Sequence, residues 1–192
     1  MNLTKKIALL VFINIISFNC HSKIDPNKNI TVLIDNGTLN TFKDVQFTLD
    51  HTEKSNPTLF FSTVLGKTFR AKEIDQTILP KIDIALYSPE KSLTFFTSPN
   101  DKEYGIKDAT LSFFLNNVKN QLTIDQFNKI EKASDFDHLK IDTDDDDSFT
   151  DEKTPKIVLF KNAAGKKGAI YIKSIHRDGY NSIILVDIKI QK

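Results

Sequence analysis

The chain has no tryptophan and only one cysteine, Cys20, in 192 residues. One cysteine excludes an intramolecular disulfide framework. Without tryptophan, the 15 Phe and 4 Tyr are the composition of a packed core more than of a broad sugar-stacking surface. Charge of one sign is also lacking, with 26 Lys plus Arg against 25 Asp plus Glu. That balance excludes a binder built on bulk positive charge, so no nucleic-acid partner is expected. No apolar run reaches the ~20 residues needed to cross a bilayer as a helix.

What is present starts at the amino terminus. Lys5 and Lys6 precede an apolar run from Ile7 to Phe18, broken only by Asn14 and Ser17, and the run stops at Asn19 and Cys20. A basic flank followed by a short apolar stretch is the form of a secretory signal. The stretch Ile16, Ser17, Phe18, Asn19, Cys20 resembles a lipobox, which implies cleavage before Cys20 and acylation of its sulfur. Two or more acyl chains hold a protein stably at a membrane, whereas one does so only marginally. Residues 1–19 are therefore read as a lipoprotein signal peptide and Cys20 as the lipidation site. The polar stretch 20–29, containing Pro26, reads as a flexible tether. Residues 30–192 read as one globular domain.

Within that domain the strand signals dominate. Ile30 to Asp35 is β-branched and runs into Asn36-Gly37, a pair suited to a tight hairpin turn. Val45, Phe47 and Leu49 alternate with polar residues, as do Ile82, Ile84 and Leu86. Thr58 to Leu65 and Leu93 to Thr97 read as further strands, and residues 156–192 as a three-stranded meander with turns at Gly165 to Gly168 and at Asp178-Gly179. Helix is expected in the middle of the chain. Ala71, Ile74 and Ile78 recur at helical spacing before Pro80, and Leu111, Phe114, Leu115 and Val118 fit a helical stripe. Thr123-Ile124-Asp125-Gln126 has the Thr-x-x-Gln form of a capping box, which predicts a helix of roughly ten residues. The fold class expected is α+β, predominantly antiparallel β with one or two short helices in the middle of the chain.

Charge is unevenly spread along the second half. Residues 135–152 carry nine acids and only Lys140, whereas residues 153–192 carry nine bases and two acids. An acidic loop is expected at 142–152, either solvated or packed on the basic meander. Asp142, Asp144 and Asp146 reproduce the Asp-x-Asp-x-Asp opening of a calcium loop. The pattern then fails, since Asp147 replaces the turn glycine and Lys153 stands where the bidentate glutamate belongs, with Glu152 one residue away. Ca²⁺ at Asp142, Asp144, Asp146 and Glu152 is the one metal reading the sequence offers. No other cofactor is expected.

No catalytic set is recognisable, so an enzyme is not the favoured reading. His51, His138 and His176 are scattered and match no zinc motif. Ser88 and Lys91 have Ser-x-x-Lys spacing, but Pro89 and flanking strand signals suggest a turn. Gly165 to Gly168 has Gly-x-x-Gly form, but it joins strands and reads as a hairpin turn. Tyr87, Tyr104 and Tyr180 fall near turns and are candidates for a glycan or peptide contact.

Three passages resemble a group of small Bacteroidetes-type envelope lipoproteins of unknown function. They are FFSTVLG ending at Gly66, IDIALYSPEKSLTFFTSP from Ile82 to Pro99, and FKNAAGKKGAIYIKSI from Phe160 together with VDIKIQK ending at Lys192. The matching residues are apolar strand positions and turn glycines, so the resemblance implies a scaffold and carries over no functional residue. The expectation is a non-catalytic lipoprotein of the cell envelope, outer-membrane anchored and facing periplasm or cell surface, that binds or scaffolds a protein, peptide or glycan. The alternatives are an envelope hydrolase whose site is drawn from distant parts of the chain, or a weak calcium-binding module through the acidic loop.

Overall fold

The structure, a computed structural model, describes residues 31–50, 59–90, 93–117, 121–145, 154–178 and 181–192. Among these residues ten antiparallel strands form two sheets. The larger has six strands in the order β1 (Val32–Asp35), β2 (Leu39–Asp50), β10 (Asn181–Gln191), β9 (Lys167–Asp178), β8 (Ile157–Lys161), β7 (Phe113–Leu115). The smaller has four in the order β4 (Lys67–Arg70), β3 (Leu59–Ser62), β5 (Ile84–Glu90), β6 (Leu93–Thr97). Among the described residues the one α-helix, α1 (Ile124–Lys129), has six residues, and three short 3₁₀ turns make up the rest of the helical content. The antiparallel expectation holds, but the helical share is too small for α+β, and the protein is β-rich.

The sheets pack face to face because each inner face presents an alternating set of large apolar side chains. Phe42, Val45, Phe47 and Leu49 of β2 and Ile184, Val186, Ile188 and Ile190 of β10 meet Leu59, Phe61, Ile84, Leu86 and Phe96 of the smaller sheet. Phe47 and Phe96 cross edge to face at 5.9 Å between centroids, and Phe42 and Phe61 at 5.4 Å. A β-bulge sets the phase of β2. Asp44 takes φ of +58°, its N–H donates to Asp187 Oδ1 at 2.9 Å, and Lys173 Nζ bridges the Asp44 and Asp187 carboxylates at 2.6 and 3.4 Å. The extra residue lets Phe42 and Val45 both face inward, where strict alternation would turn one of them out.

Part of the outer face of the larger sheet is also apolar, so β8 and the first half of β9 are buried on both sides. Ile157, Leu159 and Ala169 pack there against Leu122, Phe127, Ile130, Phe136 and Leu139 of the helical segment. The predicted capping box is present, with Gln126 N–H donating to Thr123 Oγ1 at 3.2 Å and Thr123 N–H to Gln126 Oε1 at 2.8 Å. The helix is shorter than expected because Ile130 turns to extended backbone. Lys189 of β10 then supplies the missing C-cap. Its ammonium donates to the carbonyls of Phe127, Asn128 and Ile130 at 2.8–3.3 Å and lies 5.0 Å from the Phe127 ring centroid. Lys167 Nζ donates to the carbonyls of Asp137 and Leu139 in the same way.

Two expected helices are corrected. Leu111 to Asn117 is not helical: Phe113–Leu115 is strand β7, with Phe114 between the sheets and Phe113 and Leu115 against the helical segment. A residue triplet buried on two opposite faces fits a strand and not one helical stripe; Val118 itself lies outside the described residues. The Ala71, Ile74, Ile78 stripe does cover the smaller sheet, packing on Phe60, Phe69, Ile82 and Ala85. It does so through 3₁₀ turns at Ala71–Glu73 and Leu79–Lys81, because Asp75 Oδ1 accepts the Thr77 and Ile78 N–H groups that a helix needs. Pro80 lies inside the second turn instead of ending a helix.

Gly168 on β9 shows how closely the core is filled. A Cβ there would stand 2.4 Å from the Phe160 ring and 2.8 Å from the Lys189 carbonyl. Gly168→Ala is expected to cost about 1–3 kcal/mol of stability through overpacking, read as a lowered midpoint in thermal melts; an unchanged midpoint would contradict the packing described.

Candidate functional site

The most structured exposed feature is an aromatic platform on the outer face of the smaller sheet. Alternation along β5 and β6 turns Ile84, Leu86 and Phe96 inward and leaves Tyr87 and Phe95 outward, directly opposite one another in the strand register. Their rings meet edge to face at 5.4 Å. Tyr104, from the loop after β6, stacks on Tyr87 at 3.7 Å with 24° between planes, and it meets Phe95 at 5.4 Å. All three rings are partly exposed.

The loop that presents Tyr104 is tied down by its own hydrogen bonds. Asp101 Oδ1 accepts the N–H groups of Glu103 and Tyr104 at 2.8 and 2.9 Å, and Thr97 Oγ1 donates to Asp101 Oδ2 at 3.3 Å. Ile106 N–H donates to the Pro99 carbonyl at 2.7 Å and Gly105 N–H to that of Asp101 at 3.0 Å. A Cβ at Gly105 would fall 2.4 Å from both Asp101 N and Pro99 O, so only glycine closes this loop. Desolvation, followed by the neighbouring Glu103 carboxylate, pushes both phenols above their usual pKa. The cluster presents aromatic surface and phenol hydroxyls beside the Glu103 carboxylate, which suit contact with a sugar or a peptide side chain and hydrogen bonding at the rim.

The second feature is a buried carboxylate. Asp83, which alternation would turn to solvent, is only 5% exposed. It accepts Thr63 N–H at 2.9 Å, the Thr63 hydroxyl, and Asn162 Nδ2 at 3.4 Å. These bonds tie the β3–β4 turn of one sheet to the β8–β9 turn of the other. Val64, Pro80, Thr110, Ala163 and Ala164 are among the other residues that line a cleft of about 160 Å³ at this end of the sandwich. Burial pushes the Asp83 carboxyl up to about 6, against the lowering effect of its hydrogen bonds.

The structure separates most residues the sequence nominated. Tyr87 and Tyr104 come together; Tyr180 lies outside the described residues. Ser88 is not in a turn but within β5, fully buried and 3.2 Å from Thr94 Oγ1; Lys91 is not described. His138 and His176 are exposed and on different elements, and His51 is not described. Asp142 pairs with Lys161 of the meander at 3.3 Å, whereas Asp144 Oδ1 accepts Phe114 N–H at 2.6 Å. Asp146 and Glu152, like Cys20, lie outside the described residues. Among the described residues no group of three His, Cys, Asp or Glu side chains stands close enough to hold a metal. Sequence reading missed Phe95, Asp101, Gly105 and Asp83; the Asp and Gly bracketing Tyr104 were the available signal for an ordered loop, and nothing in the alternating Ile82-Asp83-Ile84 marked Asp83 as buried.

Comparison with protein-family models, curated proteins and solved structures gives no match. Among the described residues no helix is long and apolar enough to cross a membrane.

Asp83 carries a signed pH prediction. A carboxyl that titrates near 6 when folded and at its usual 3.8 when unfolded contributes stability that is fully present below 3.8 and is lost as pH rises through 6. The melting midpoint of wild type should therefore fall relative to that of Asp83→Asn between pH 4 and 7, by the equivalent of about 2 kcal/mol. Midpoints that keep a constant difference across this range would contradict the burial of an ionisable group there.

Proposed function

We propose that the protein is a non-catalytic lipoprotein of the cell envelope, anchored in the outer membrane through acylated Cys20, which binds a glycan or peptide through the Tyr87, Phe95 and Tyr104 platform. The observation that carries the binding reading is the stack of Tyr104 on Tyr87, held by a loop whose conformation is set before any ligand arrives. A preorganised aromatic surface loses little entropy on binding. The anchor reading draws on the basic flank, the short apolar run and Cys20 at its edge, and on the resemblance to small envelope lipoproteins.

Asp83 favours a second reading, an envelope hydrolase, because a carboxyl titrating near 6 has the pKa of a general acid. Its three hydrogen bonds to Thr63 and Asn162 argue for the structural role. The weak calcium alternative draws on Asp142 and Asp144; the bonds these two make to Lys161 and Phe114 direct them to the fold.

Truncating an aromatic contact costs about 0.5–1.5 kcal/mol beyond its buried area, and each 1.4 kcal/mol is tenfold in affinity. Tyr104→Ala should therefore weaken binding to an envelope oligosaccharide or peptide about tenfold in titration calorimetry, while loss of its ring contacts to Tyr87 and Phe95 lowers the melting midpoint by only a few degrees and leaves the chain folded at the temperature of the titration. Gly105→Ala should weaken it as well, because it breaks the loop and not the ring. A ligand whose affinity both variants leave intact would remove the platform from the proposal.

A further inference from the structure

Four strands of this fold lie at sheet edges, and three of them are guarded. An unguarded edge offers a row of free backbone donors and acceptors to another chain, and proteins block it with charges, short strands or covering segments. On β7, Asp144 Oδ1 accepts Phe114 N–H at 2.6 Å and Asp145 N–H donates to the Phe114 carbonyl at 3.0 Å. Asp145 then accepts the N–H groups of Asn116 and Asn117 at 2.8 and 3.0 Å. On β6, the Asn116 side chain takes the place of a neighbouring strand: its Oδ1 accepts Phe96 N–H at 2.8 Å and its Nδ2 donates to the Phe96 carbonyl at 2.9 Å. On β4, four residues long, Lys67 and Arg70 stand at the ends while Phe69 is buried.

The remaining edge, β1, is as short as β4, but among the described residues no side chain caps its backbone, and it exposes its apolar residues where β4 buries Phe69. Val32, Leu33 and Ile34 are 46%, 54% and 45% exposed, and β1 pairs only with β2. Its single charge, Asp35, is held by Lys192. We infer that β1 is an interaction edge and that its occupant is β1 of a second copy of this chain, paired antiparallel across a twofold axis.

The sequence of the strand selects this occupant and its register. With Leu33 of one copy opposite Leu33 of the other, Val32 faces Ile34 on both sides of the axis and each Asp35 lies opposite Thr31. All three apolar residues find apolar partners, and the two carboxylates stand at opposite ends. A shift by one residue would set Asp35 against Val32. The self-complementary register makes the interface isologous, the commonest form of homodimer contact, and joins the two larger sheets into one. Only a short strand is shared, so the association is weak in dilute solution and is favoured where tethering to a surface raises the local concentration. The inference does not depend on Cys20 being acylated.

The test is cysteine cross-linking on a Cys20→Ser background. Directly opposed residues of an antiparallel pair have Cα atoms about 4.5–5.5 Å apart, within disulfide reach. Mild oxidation of the Leu33→Cys chain should give several-fold more covalent dimer than the Val64→Cys chain, whose altered residue is 71% exposed but lies in the β3–β4 turn of the smaller sheet, not on the β1 edge. Adding Ile34→Lys should bring the Leu33→Cys yield down to the Val64→Cys level while leaving the melting midpoint in place. A Leu33→Cys yield no greater than that of Val64→Cys overturns the inference, whether or not the chain sediments with lipid vesicles. So does a yield that Ile34→Lys leaves unchanged.

Discussion

The apolar layer between the two sheets is the contact on which the rest of the molecule depends. Phe42 and Phe47 from the larger sheet cross Phe61 and Phe96 from the smaller one, and Phe96, Phe114 and Phe160 continue as a roughly parallel file. Rings of this size gain both from burial and from mutual geometry. Because the layer fixes which residues of β5 and β6 face inward, it also fixes which face outward. Tyr87 and Phe95 form a platform only because Ile84, Leu86 and Phe96 are committed to the interior.

A second layer of organisation comes from long polar side chains that serve the backbone. Lys189 and Lys167 close the carbonyl ends of the helical segment, Asn116 stands in for a strand beside β6, and Asp144 and Asp145 seal β7. Each satisfies main-chain groups that burial or an edge would leave without a partner. The acidic run thus has a structural use at its start: Asp142 reaches Lys161, and the next two aspartates dock on β7. One end of the larger sheet is consequently closed by carboxylates, while the other, at β1, stays open and apolar. The platform on β5 and β6 lies toward the closed end, away from β1.

Much of this architecture is legible in the sequence because strand alternation reports one half-buried face directly. The meander from residue 156 onward, the Asn36-Gly37 turn and the capping box at Thr123 were readable for that reason. Where a segment is buried on two faces, alternation disappears, and Phe113 to Leu115 then looks as helical as it does extended. Ala71, Ile74 and Ile78 reported their buried face correctly but not their backbone, since the spacing does not register that Asp75 competes for the amides. The site was less legible. Tyr87 and Tyr104 stood out as tyrosines near turns, but their stacking depends on the Asp101 and Gly105 loop, and Asp83 is buried by the meeting of two turns distant in sequence. Such convergence leaves no periodic trace.

The proposed role needs both an acylated Cys20 and the ordered aromatic face on β5 and β6, and it is the acylation that would make this β-sandwich a component of the envelope. Mass spectrometry of the chain recovered from native membranes addresses it most directly. The account predicts an amino-terminal peptide beginning at Cys20 and carrying a diacylglyceryl group on its sulfur. A free thiol at Cys20, or a chain that still begins upstream of it, would contradict the account.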